Sequence, residues 1–479
     1  MFLSPIVSIL TVNLEEARRK IEARDVTVTV VGLGKMGLPL ATVFTNAGFN
    51  VKGLDIVPET VEMLNRGETI IDEPQVPERL QQAVKKGLFH ATTDVGEAVD
   101  GTSFIVIIIP VLTDDHGNAA LDGLLETYRN LAQMAPKGAV FIQESTLPPK
   151  TTAEVIAPYL EEQGYRIGSD FGLVFAPERT FSGRAIKDIE ENYPKIVGGV
   201  DKRSGELAKI LYEQFVVKGV IQVSDATTAE AIKTFKGAYR DANIAIANQL
   251  AILADSLGVD ILEVIQVANT EPFSHIHTPG IGVGGHCIPV YPHFVIQKGK
   301  ENEFLPTIFV EGRLTNDYMV EYALDMIDLV TPDWKRNVLV LGLAYRGGVK
   351  EHRLSPTLRL LPLVREKNPL GVKIFDPLYS AEEIDRLFGN GIGFEDQSLE
   401  KALDWASIVI IVTDHQEFKE LNPLLLSNKI VFDGRYVLDP ELARDFYLLQ
   451  PGRVGLLERL GIIPKIRPRL QSFPRINLT

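Results

Sequence analysis

The only cysteine of the chain, Cys287, directly follows a glycine-rich stretch, residues 280–286, which reads GIGVGGH. Glycine lets a backbone adopt positive φ and lets a bulky ligand approach it closely. A thiolate presented behind such a loop can attack a carbonyl carbon, so this pattern predicts a nucleophile that faces a substrate. A lone cysteine is more often a small, buried hydrophobic residue, and that alternative stays open at this point.

A second glycine-rich stretch has the element order of a dinucleotide-binding fold. Residues 26–31 predict a strand, 32–37 read GxGxxG, 38–47 predict a helix, and a second strand, 50–54, ends at an aspartate. In this arrangement the glycines form the turn, let the pyrophosphate approach and pack the helix on the strand. The acid would bind ribose hydroxyls and repel a 2′-phosphate, which favours NAD over NADP; a glycine turn that binds nothing is the alternative. The predicted cofactor-binding residues here are Gly32, Gly34, Lys35, Met36, Gly37 and Asp55.

Composition narrows the class of protein. At 479 residues the chain is too long for one core and predicts two or three domains. The formal charge of −14 argues against a nucleic-acid partner. The longest apolar run, 104–112, is far shorter than the ~20 residues of a membrane helix, so no membrane partner is expected. A single cysteine fits a reducing compartment, and the N-terminus lacks a basic start, so we expect a cytoplasmic protein.

Further strands carry polar clusters at their ends. Short β-branched runs at 103–109, 139–144 and 173–176 predict parallel strands that are covered on both faces. The clusters 144–146 (Glu-Ser-Thr) and 177–180 (Pro-Glu-Arg-Thr) follow two of these strands. Ligands of open α/β sheets bind beyond the carboxyl ends of strands, so both clusters are placed for binding, although ordinary turn chemistry also explains them.

The second half of the chain repeats the α/β pattern. Residues 227–257 predict one long helix, which could bridge two domains and offer a seam to a second subunit. Strand patterns follow at 337–341, 372–375, 407–413 and 430–432. The predicted fold class is therefore α/β, with two Rossmann-like doubly wound domains joined by a long central helix, and we expect one nucleotide in each half.

The combined motifs resemble the UDP-glucose/GDP-mannose dehydrogenase family over residues 26–445. The resemblance rests on the glycine loop 32–39, both polar clusters, Lys233, the Gly-Gly-His-Cys motif 284–287 and the Asp-Gly-Arg turn 433–435. Residues 240–245 (RDANIA) place the chain nearest the branch that acts on UDP-N-acetylhexosamines. The resemblance implies an NAD-binding domain at 1–224, a helical dimerisation domain with the cysteine loop at 225–332, and a UDP-sugar-binding domain with its tail at 333–479.

The chemistry of that family is a four-electron oxidation of the sugar C6 alcohol to a carboxylate with two NAD⁺. An aldehyde forms first, a thiolate traps it as a thiohemiacetal, a second oxidation gives a thioester, and water releases the acid. By resemblance, Cys287 is the nucleophile and Lys233 stabilises the C6 oxyanion and takes part in proton transfer. Glu178 would orient or deprotonate the hydrolytic water, and Thr146 would lie near the nicotinamide and the substrate.

The resemblance also implies binding residues and partners. Pro110, Glu144 and Thr146 would complete the NAD site. The expected substrate-binding residues are Arg179, Lys233, Arg240, Asn243, Gly285, His286, Arg346, Arg353 and Arg435. Arg353 would reach the substrate across a subunit boundary, and Arg435 would bind the diphosphate, because a guanidinium fork matches phosphate oxygens. The expected partners are a UDP-sugar, with UDP-N-acetylmannosamine favoured, and further copies of the chain in a homodimer or larger assembly.

The chain departs from the family pattern beside both reactive groups. Gly237 stands where the family has Asn, four residues after the lysine, and Tyr291 stands where it has Asp, four residues after the cysteine. Smaller changes are Gln249 and Glu351 for other acids, and the loss of Thr-Pro after Ile109. Two hypotheses follow: an active but rearranged dehydrogenase, or an NAD- and UDP-sugar-binding homologue with weak turnover. UDP-N-acetylglucosamine and UDP-glucose are the alternative substrates.

Two other features are explained without a further activity. Zinc-ligand types occur at His275, His277, His286, Cys287 and His293, but their spacing is irregular and the resemblance explains 286–287 without a metal, so no metal is predicted. The basic tail, 439–479, lies beyond the resemblance and is predicted to be a solvated extension, with packing against a neighbouring subunit as the alternative.

Overall fold

The computed structural model describes residues 8–114, 117–396, 398–461 and 463. The chain forms two compact units, a first unit of residues 1–236 with 293–302 and a second unit of residues 237–292 with 303–479. Helix α10, Ala226–Leu257, therefore contributes to each unit, as does α12, Tyr291–Glu301. The three-domain division expected from the sequence stays a prediction.

The first unit contains an eight-stranded sheet with the order β3-β2-β1-β4-β5-β6-β7-β8. The strands are β1 Thr27–Val31, β2 Asn50–Leu54, β3 Phe89–Thr92, β4 Phe104–Ile107, β5 Val140–Gln143, β6 Gly172–Phe175, β7 Lys195–Gly199 and β8 Val220–Gln222. The order of the first six is that of a dinucleotide-binding Rossmann sheet. Only β7 against β6 is antiparallel, and the sequence did not predict β3, β7 or β8.

Both faces of this sheet are buried, as the continuous apolar runs predicted. Along β4, Phe104 and Val106 belong to one hydrophobic core, while Ile105 and Ile107 belong to another on the opposite face. Successive side chains of a strand point to opposite faces, so a run without polar residues signals cover on both. The helices of this unit before α10 are α1 Leu14–Glu22, α2 Gly37–Asn46, α3 Pro58–Asn65, α4 Val76–Lys85, α5 Val95–Val99, α6 Asp122–Met134, α7 Ala157–Glu162, α8 Ala185–Lys187 and α9 Lys202–Tyr212.

The second unit contains a five-stranded, all-parallel sheet with the order β10-β9-β11-β12-β13. Its strands are β9 Asn337–Leu341, β10 Gly371–Phe375, β11 Ile408–Ile411, β12 Ile430–Asp433 and β13 Tyr447–Leu449. This is the other common doubly wound order, 2-1-3-4-5, so the predicted fold class is confirmed. The remaining helices are α11 Ile261–Ala268, α13 Thr307–Val330, α14 Pro356–Glu366, α15 Ala381–Phe388, α16 Leu399–Trp405, α17 Gln416–Lys419 and α18 Val454–Arg459.

The predicted long helix is present as α10. It begins after Asp225, whose carboxylate accepts a hydrogen bond from the backbone N–H of Thr228 at 2.7 Å, as an N-cap residue does. It ends before Gly258, which has φ of +71° and stops the helix in the usual left-handed way. Alanines such as Ala238 and Ala247 are fully buried along it, so neighbouring elements pack closely against its backbone.

The described part of the C-terminal tail is packed against its own chain. Leu448 and Leu449 in β13 are fully buried, and Arg453 forms an ion pair with Asp260 at 2.9 Å. The prediction of a solvated extension is therefore wrong for the tail as far as residue 461, because its apolar residues complete the second core. The basic residues Lys465, Arg467, Arg469 and Arg475 lie outside the described residues. Within the described ranges, no helix has both the length and the apolar character needed to cross a membrane.

Candidate active site

The glycines of the loop 32–37 differ in what surrounds them. Gly32 has φ of +91°, and a Cβ on it would lie 2.9 Å from the carbonyl oxygen of Ile108. A Cβ on Gly37, the first residue of α2, would lie 1.8 Å from the carbonyl oxygen of Gly32. A Cβ on Gly34 would meet no atom within 4 Å. Two glycines therefore let strand, turn and helix pack together, and the middle one leaves open space for a phosphate to reach the backbone.

Asp55 lies beside this loop at the end of β2. Its Oδ2 accepts from the backbone N–H of Leu33 at 2.8 Å, and its Oδ1 accepts from the N–H of Val57 at 3.1 Å. The side chain remains partly exposed, as a carboxylate must be to bind a ribose. Lys35 and Pro110 are exposed at the same end of the sheet, and Met36 is partly buried. These residues fit a bound dinucleotide.

The structure brings Met36, Glu178 and Lys233 into one cluster. The Lys233 ammonium donates to the backbone carbonyl of Glu178 and lies 3.7 Å from its carboxylate Oε2. The Thr180 hydroxyl donates to the sulfur of Met36 at 3.0 Å, and the Thr180 N–H donates to the Glu178 carboxylate. The predicted lysine and acid therefore adjoin the glycine loop, with the lysine side chain only 8% exposed.

Arg179 points to the edge of the same cluster. Its guanidinium donates to the carbonyl of Pro194 and stacks over the ring of Tyr193, 5.5 Å from the centroid. Burial lowers the pKa of this guanidinium, and the charge of Glu178 opposes that shift. Its predicted contact with substrate stays a prediction.

A buried ion pair that the sequence did not reveal lies behind the cluster. One carboxylate oxygen of Glu144 accepts from the Lys195 ammonium at 2.8 Å and from the Tyr212 hydroxyl. Burial lowers the pKa of Lys195; the charges of Glu144 and Glu178 oppose the shift, and the charge of Lys233 adds to it. Lys195 therefore shares the electrostatic environment of the two predicted catalytic groups.

No local pattern marks Lys195 in the sequence, since it begins an apolar strand and its partner is distant along the chain. The Glu144 side chain is 1% exposed and engaged by this pair. Its predicted contact with the cofactor stays a prediction, as does that of the partly buried Thr146, two residues further on.

In the second unit, Cys287 is exposed at the end of a firmly held loop. Gly280 N–H donates to Asn248 Oδ1 at 2.9 Å, and Gly285 N–H donates to the Arg353 carbonyl at 2.8 Å. Gly285 has φ of +97°, and a Cβ there would lie 3.0 Å from the ring of Tyr345. The alternative of a small buried hydrophobic residue is therefore wrong, because Cys287 is exposed.

Asn248 belongs to a buried network that sequence reasoning did not single out. Its amide donates to Asn316 at 2.9 Å, and Asn316 in turn donates to Asp241. Asp241 also pairs with Arg313 at 2.6 Å. Burial raises the pKa of Asp241 to about 6, although the charge of Arg313 opposes the shift. The network fixes the start of the cysteine loop on α10 and α13.

Several of the predicted substrate-binding residues meet at this loop. The His286 ring lies 3.1 Å from Glu351, whose other oxygen accepts from the Arg353 N–H at 3.0 Å. Arg435 donates through Nε to the carbonyl of Val412 at 2.7 Å and through Nη2 to that of Gly282 at 3.2 Å. Burial lowers the pKa of the Arg435 guanidinium.

The other three predicted substrate-binding residues have different surroundings. The Arg346 guanidinium lies 5.9 Å from the ring centroid of Tyr345, against which Gly285 packs. Arg240 is exposed on α10 near His277, whose pKa is lowered by burial and then by the arginine charge. The Asn243 amide donates to the carbonyl of Tyr239 in its own helix at 2.8 Å, so this residue is not held toward the loop.

The histidines considered as metal ligands do not form a cluster. Among the residues that the structure describes, no group of three or more His, Cys, Asp or Glu side chains is arranged to hold a metal ion.

A glycine turn with its acid, a lysine–glutamate pair and a thiol loop on a second α/β sheet define an NAD-dependent dehydrogenase with two nucleotide-binding domains. Three domain profiles of one family match the chain: the NAD-binding domain over residues 26–216, the central domain over 227–318 and the UDP-binding domain over 339–440. The chain belongs to the UDP-glucose/GDP-mannose dehydrogenase family, and it is an NAD-dependent dehydrogenase of UDP-sugars.

Individual relatives match over nearly their whole length. The UDP-N-acetyl-D-mannosamine dehydrogenase of Pyrococcus horikoshii is 37% identical, over 86% of this chain and 96% of that protein. The NDP-N-acetyl-D-galactosaminuronic acid dehydrogenase of Ralstonia nicotianae is 33% identical, over 85% of this chain and 95% of that protein. The solved structure of UDP-D-ManNAc dehydrogenase from P. horikoshii superposes with a TM-score of 0.81 at 34% identity, covering 90% of this chain and all of that one.

Proposed function

We propose that the protein oxidises UDP-N-acetylmannosamine at C6 to the uronate, through a covalent intermediate on Cys287. The observation that carries the proposal is the exposure of the only thiol at the end of a glycine-rich loop whose backbone is hydrogen-bonded at Gly280 and Gly285. Relatives of that name and 30–37% identity support the choice of sugar.

In the proposed reaction, bound NAD⁺ supplies the hydride acceptor for each of the two oxidations. As C6 loses a hydride to NAD⁺ and its hydroxyl loses a proton, the Lys233 ammonium stabilises the negative charge on the C6 oxygen and takes part in transferring that proton. Its contact with Glu178 holds the ammonium in place. The Cys287 sulfur adds to the C6 aldehyde to give a thiohemiacetal, and loss of the second hydride leaves a thioester. Water, oriented by Glu178, then adds to the thioester, releases the carboxylate and returns the thiolate.

Binding is assigned to residues around these groups. Gly32, Gly34, Gly37 and Asp55 hold the dinucleotide, since the open backbone at Gly34 and the exposed acid fit pyrophosphate and ribose. Arg435 is held on two sides by carbonyls, and its Nη1 is proposed to bind a phosphate oxygen of the UDP. His286, Arg346 and Arg353 are proposed to contact the sugar nucleotide.

We also propose a homodimer formed along α10. Five large apolar side chains on this helix are between 49% and 66% exposed, at spacings of four and seven residues that place them on one stripe: Phe235, Tyr239, Ile246, Leu253 and Leu257. Light scattering after gel filtration should give twice the chain mass, and Leu253→Asp should give the single-chain mass.

A reactive thiol is best kept in a reducing compartment, so the cytoplasm is the proposed location.

The substrate is tested with purified protein, NAD⁺ and a panel of UDP-N-acetylmannosamine, UDP-N-acetylglucosamine, UDP-N-acetylgalactosamine, UDP-glucose and GDP-mannose. We expect about two NADH for each UDP-N-acetylmannosamine consumed, because the alcohol loses four electrons on the way to the acid. The highest kcat/KM on the galacto sugar would favour the second candidate, the activity named for the Ralstonia relative. Sugar-nucleotide binding with no NADH from any sugar would leave a binding protein instead.

The covalent step is tested with Cys287→Ala. The variant should form no uronate while it still binds NAD⁺ and the sugar nucleotide in calorimetry. Equal uronate formation by the variant and the natural protein would show that the thiol is not part of the reaction.

A further inference from the structure

Gly237 and Tyr291 are in direct contact within the second unit. A Cβ placed on Gly237 would lie 2.2 Å from Cδ2 of the tyrosine ring and 3.0 Å from its Cβ and Cγ. Real Cβ atoms do not approach other atoms so closely, so any side chain at 237 would have to displace the ring. Tyr291 is 6% exposed, which leaves its ring little room to move away. The two residues that depart from the family pattern therefore require each other.

Tyr291 is joined to the thiol residue through the backbone. It is the first residue of α12, and its N–H donates to the carbonyl of Cys287 at 3.0 Å. The Val290 N–H donates to the same carbonyl at 3.2 Å. A tight turn therefore connects the Tyr291 ring, which packs against Gly237 on α10, with the residue that carries the nucleophile. A shift of the ring would be transmitted to the thiol, because these two hydrogen bonds join the start of α12 to Cys287.

We propose that Gly237 and Tyr291 form an interlock that sets the position of the Cys287 thiol, with Tyr291 as a positioning residue for the nucleophile. The proposal rests on the proposed function only in taking Cys287 as the reacting group. The aromatic ring, packed against bare backbone, fixes the distance between α10 and the cysteine turn. An amide at 237 and a tyrosine at 291 exclude each other, so both positions must change together.

The interlock is tested by adding one methyl group. Gly237→Ala should displace the ring, change the rate at which iodoacetamide alkylates Cys287 and lower kcat for uronate formation. Both effects should be about tenfold or more, since small misplacements of reacting groups cost this much. KM for NAD⁺ should not change. The label is unambiguous because Cys287 is the only cysteine. The matched control is Gly123→Ala, also within a helix, where the added Cβ meets no atom within 4 Å. It should match the natural protein in both rates.

A double variant separates displacement of the ring from simple damage to helix α10. Tyr291→Ala removes the ring and should by itself lower kcat, because the thiol loses its positioning residue. Adding Gly237→Ala should then cost little more, since no ring is left for the new methyl group to displace, so the two substitutions should be strongly non-additive. Additive losses in the double variant would overturn the interlock.

Failure of the proposed function would give a different experimental result from failure of the interlock. If Cys287→Ala still forms uronate, the covalent mechanism fails, whereas the alkylation rates of the Gly237→Ala series would still report on the position of the thiol.

Discussion

The two sheets contain the same kind of turn, but the two turns have different functions. Each first strand runs into a glycine with positive φ, Gly32 at +91° and Gly342 at +105°. In each, an aspartate at the end of the neighbouring strand accepts from the backbone N–H after that glycine, at 2.8 Å for Asp55 and 2.7 Å for Asp376. The backbone solution is therefore shared, and it reflects the geometry of a parallel strand pair followed by a helix.

The surroundings of the two acids differ. Asp55 is partly exposed, whereas Asp376 is 1% exposed, accepts from a second backbone N–H, that of Ala344, and pairs with the buried ring of His415 at 3.1 Å. Burial alone would raise the pKa of Asp376, but the bonds from His415 and the backbone more than offset it and lower that pKa. The first acid is left accessible to a ligand, and the second stabilises the fold.

The largest expected effect is on stability of the second unit. Asp376→Ala removes the acceptor of three backbone N–H groups and the partner of a buried imidazole, so the free energy of unfolding should fall by about 3–5 kcal/mol. Denaturant unfolding followed by circular dichroism measures it. The control is Asp404→Ala, an exposed carboxylate in the same unit, which should change stability by less than about 0.5 kcal/mol. A small loss in Asp376→Ala would show that the two turns are equivalent.

Glu230 should make the stability of the first unit depend on pH. Glu230 in the first unit is fully buried, one of its oxygens accepts from the Thr152 N–H and hydroxyl, and burial raises its pKa to about 7. An acid with a raised folded pKa stabilises the fold below its unfolded pKa and loses that contribution as pH rises through the folded value. Between pH 4.5 and 7 the first unit should therefore lose up to about 3 kcal/mol.

Glu230→Gln keeps the neutral form and should flatten this loss in unfolding curves measured at pH 5 and pH 8. The lowered pKa of Asp376 acts in the opposite direction, because its contribution is present above the usual carboxyl range and is lost in acid. An unchanged pH profile in Glu230→Gln would mean that Glu230 is ionised throughout.

Much of this architecture could be predicted because the signals are local. The strand and helix patterns around residues 26–55 depend on neighbours in the sequence, and the structure has strand β2 with the predicted bounds. The antiparallel β7 could not be predicted, since pairing direction is decided by distant residues. Lys195 and the contact between Gly237 and Tyr291 were missed for the same reason, because each depends on a partner far along the chain.

A glycine in or near each turn should also differ in its effect on stability, although by less. Gly347→Ala would place a Cβ 2.3 Å from the carbonyl oxygen of Asp414, and we expect a loss of about 1–3 kcal/mol in the free energy of unfolding. Gly34→Ala meets no atom, so stability should change by less than about 0.5 kcal/mol. Thermal unfolding of the two variants measures the difference. Equal destabilisation would contradict the view that only the first turn is open.

Measuring the affinity for the cofactor after substitution of Asp55 tests the difference between the accessible and the buried acid most directly. Asp55→Ala should weaken the affinity for NAD⁺ by about tenfold to 150-fold, because hydrogen bonds to a charged group contribute roughly 1.5–3 kcal/mol. It should also reduce the preference for NAD⁺ over NADP⁺, since the carboxylate that would repel the 2′-phosphate is gone. Asp55 is partly exposed, so its loss should cost less stability than the loss of the buried Asp376. Glu59→Ala, an exposed carboxylate on α3, is the control for net charge. If Asp55→Ala lowers stability as much as Asp376→Ala and leaves both cofactor affinities unchanged, the accessible acid is structural too, and the dinucleotide must be recognised elsewhere.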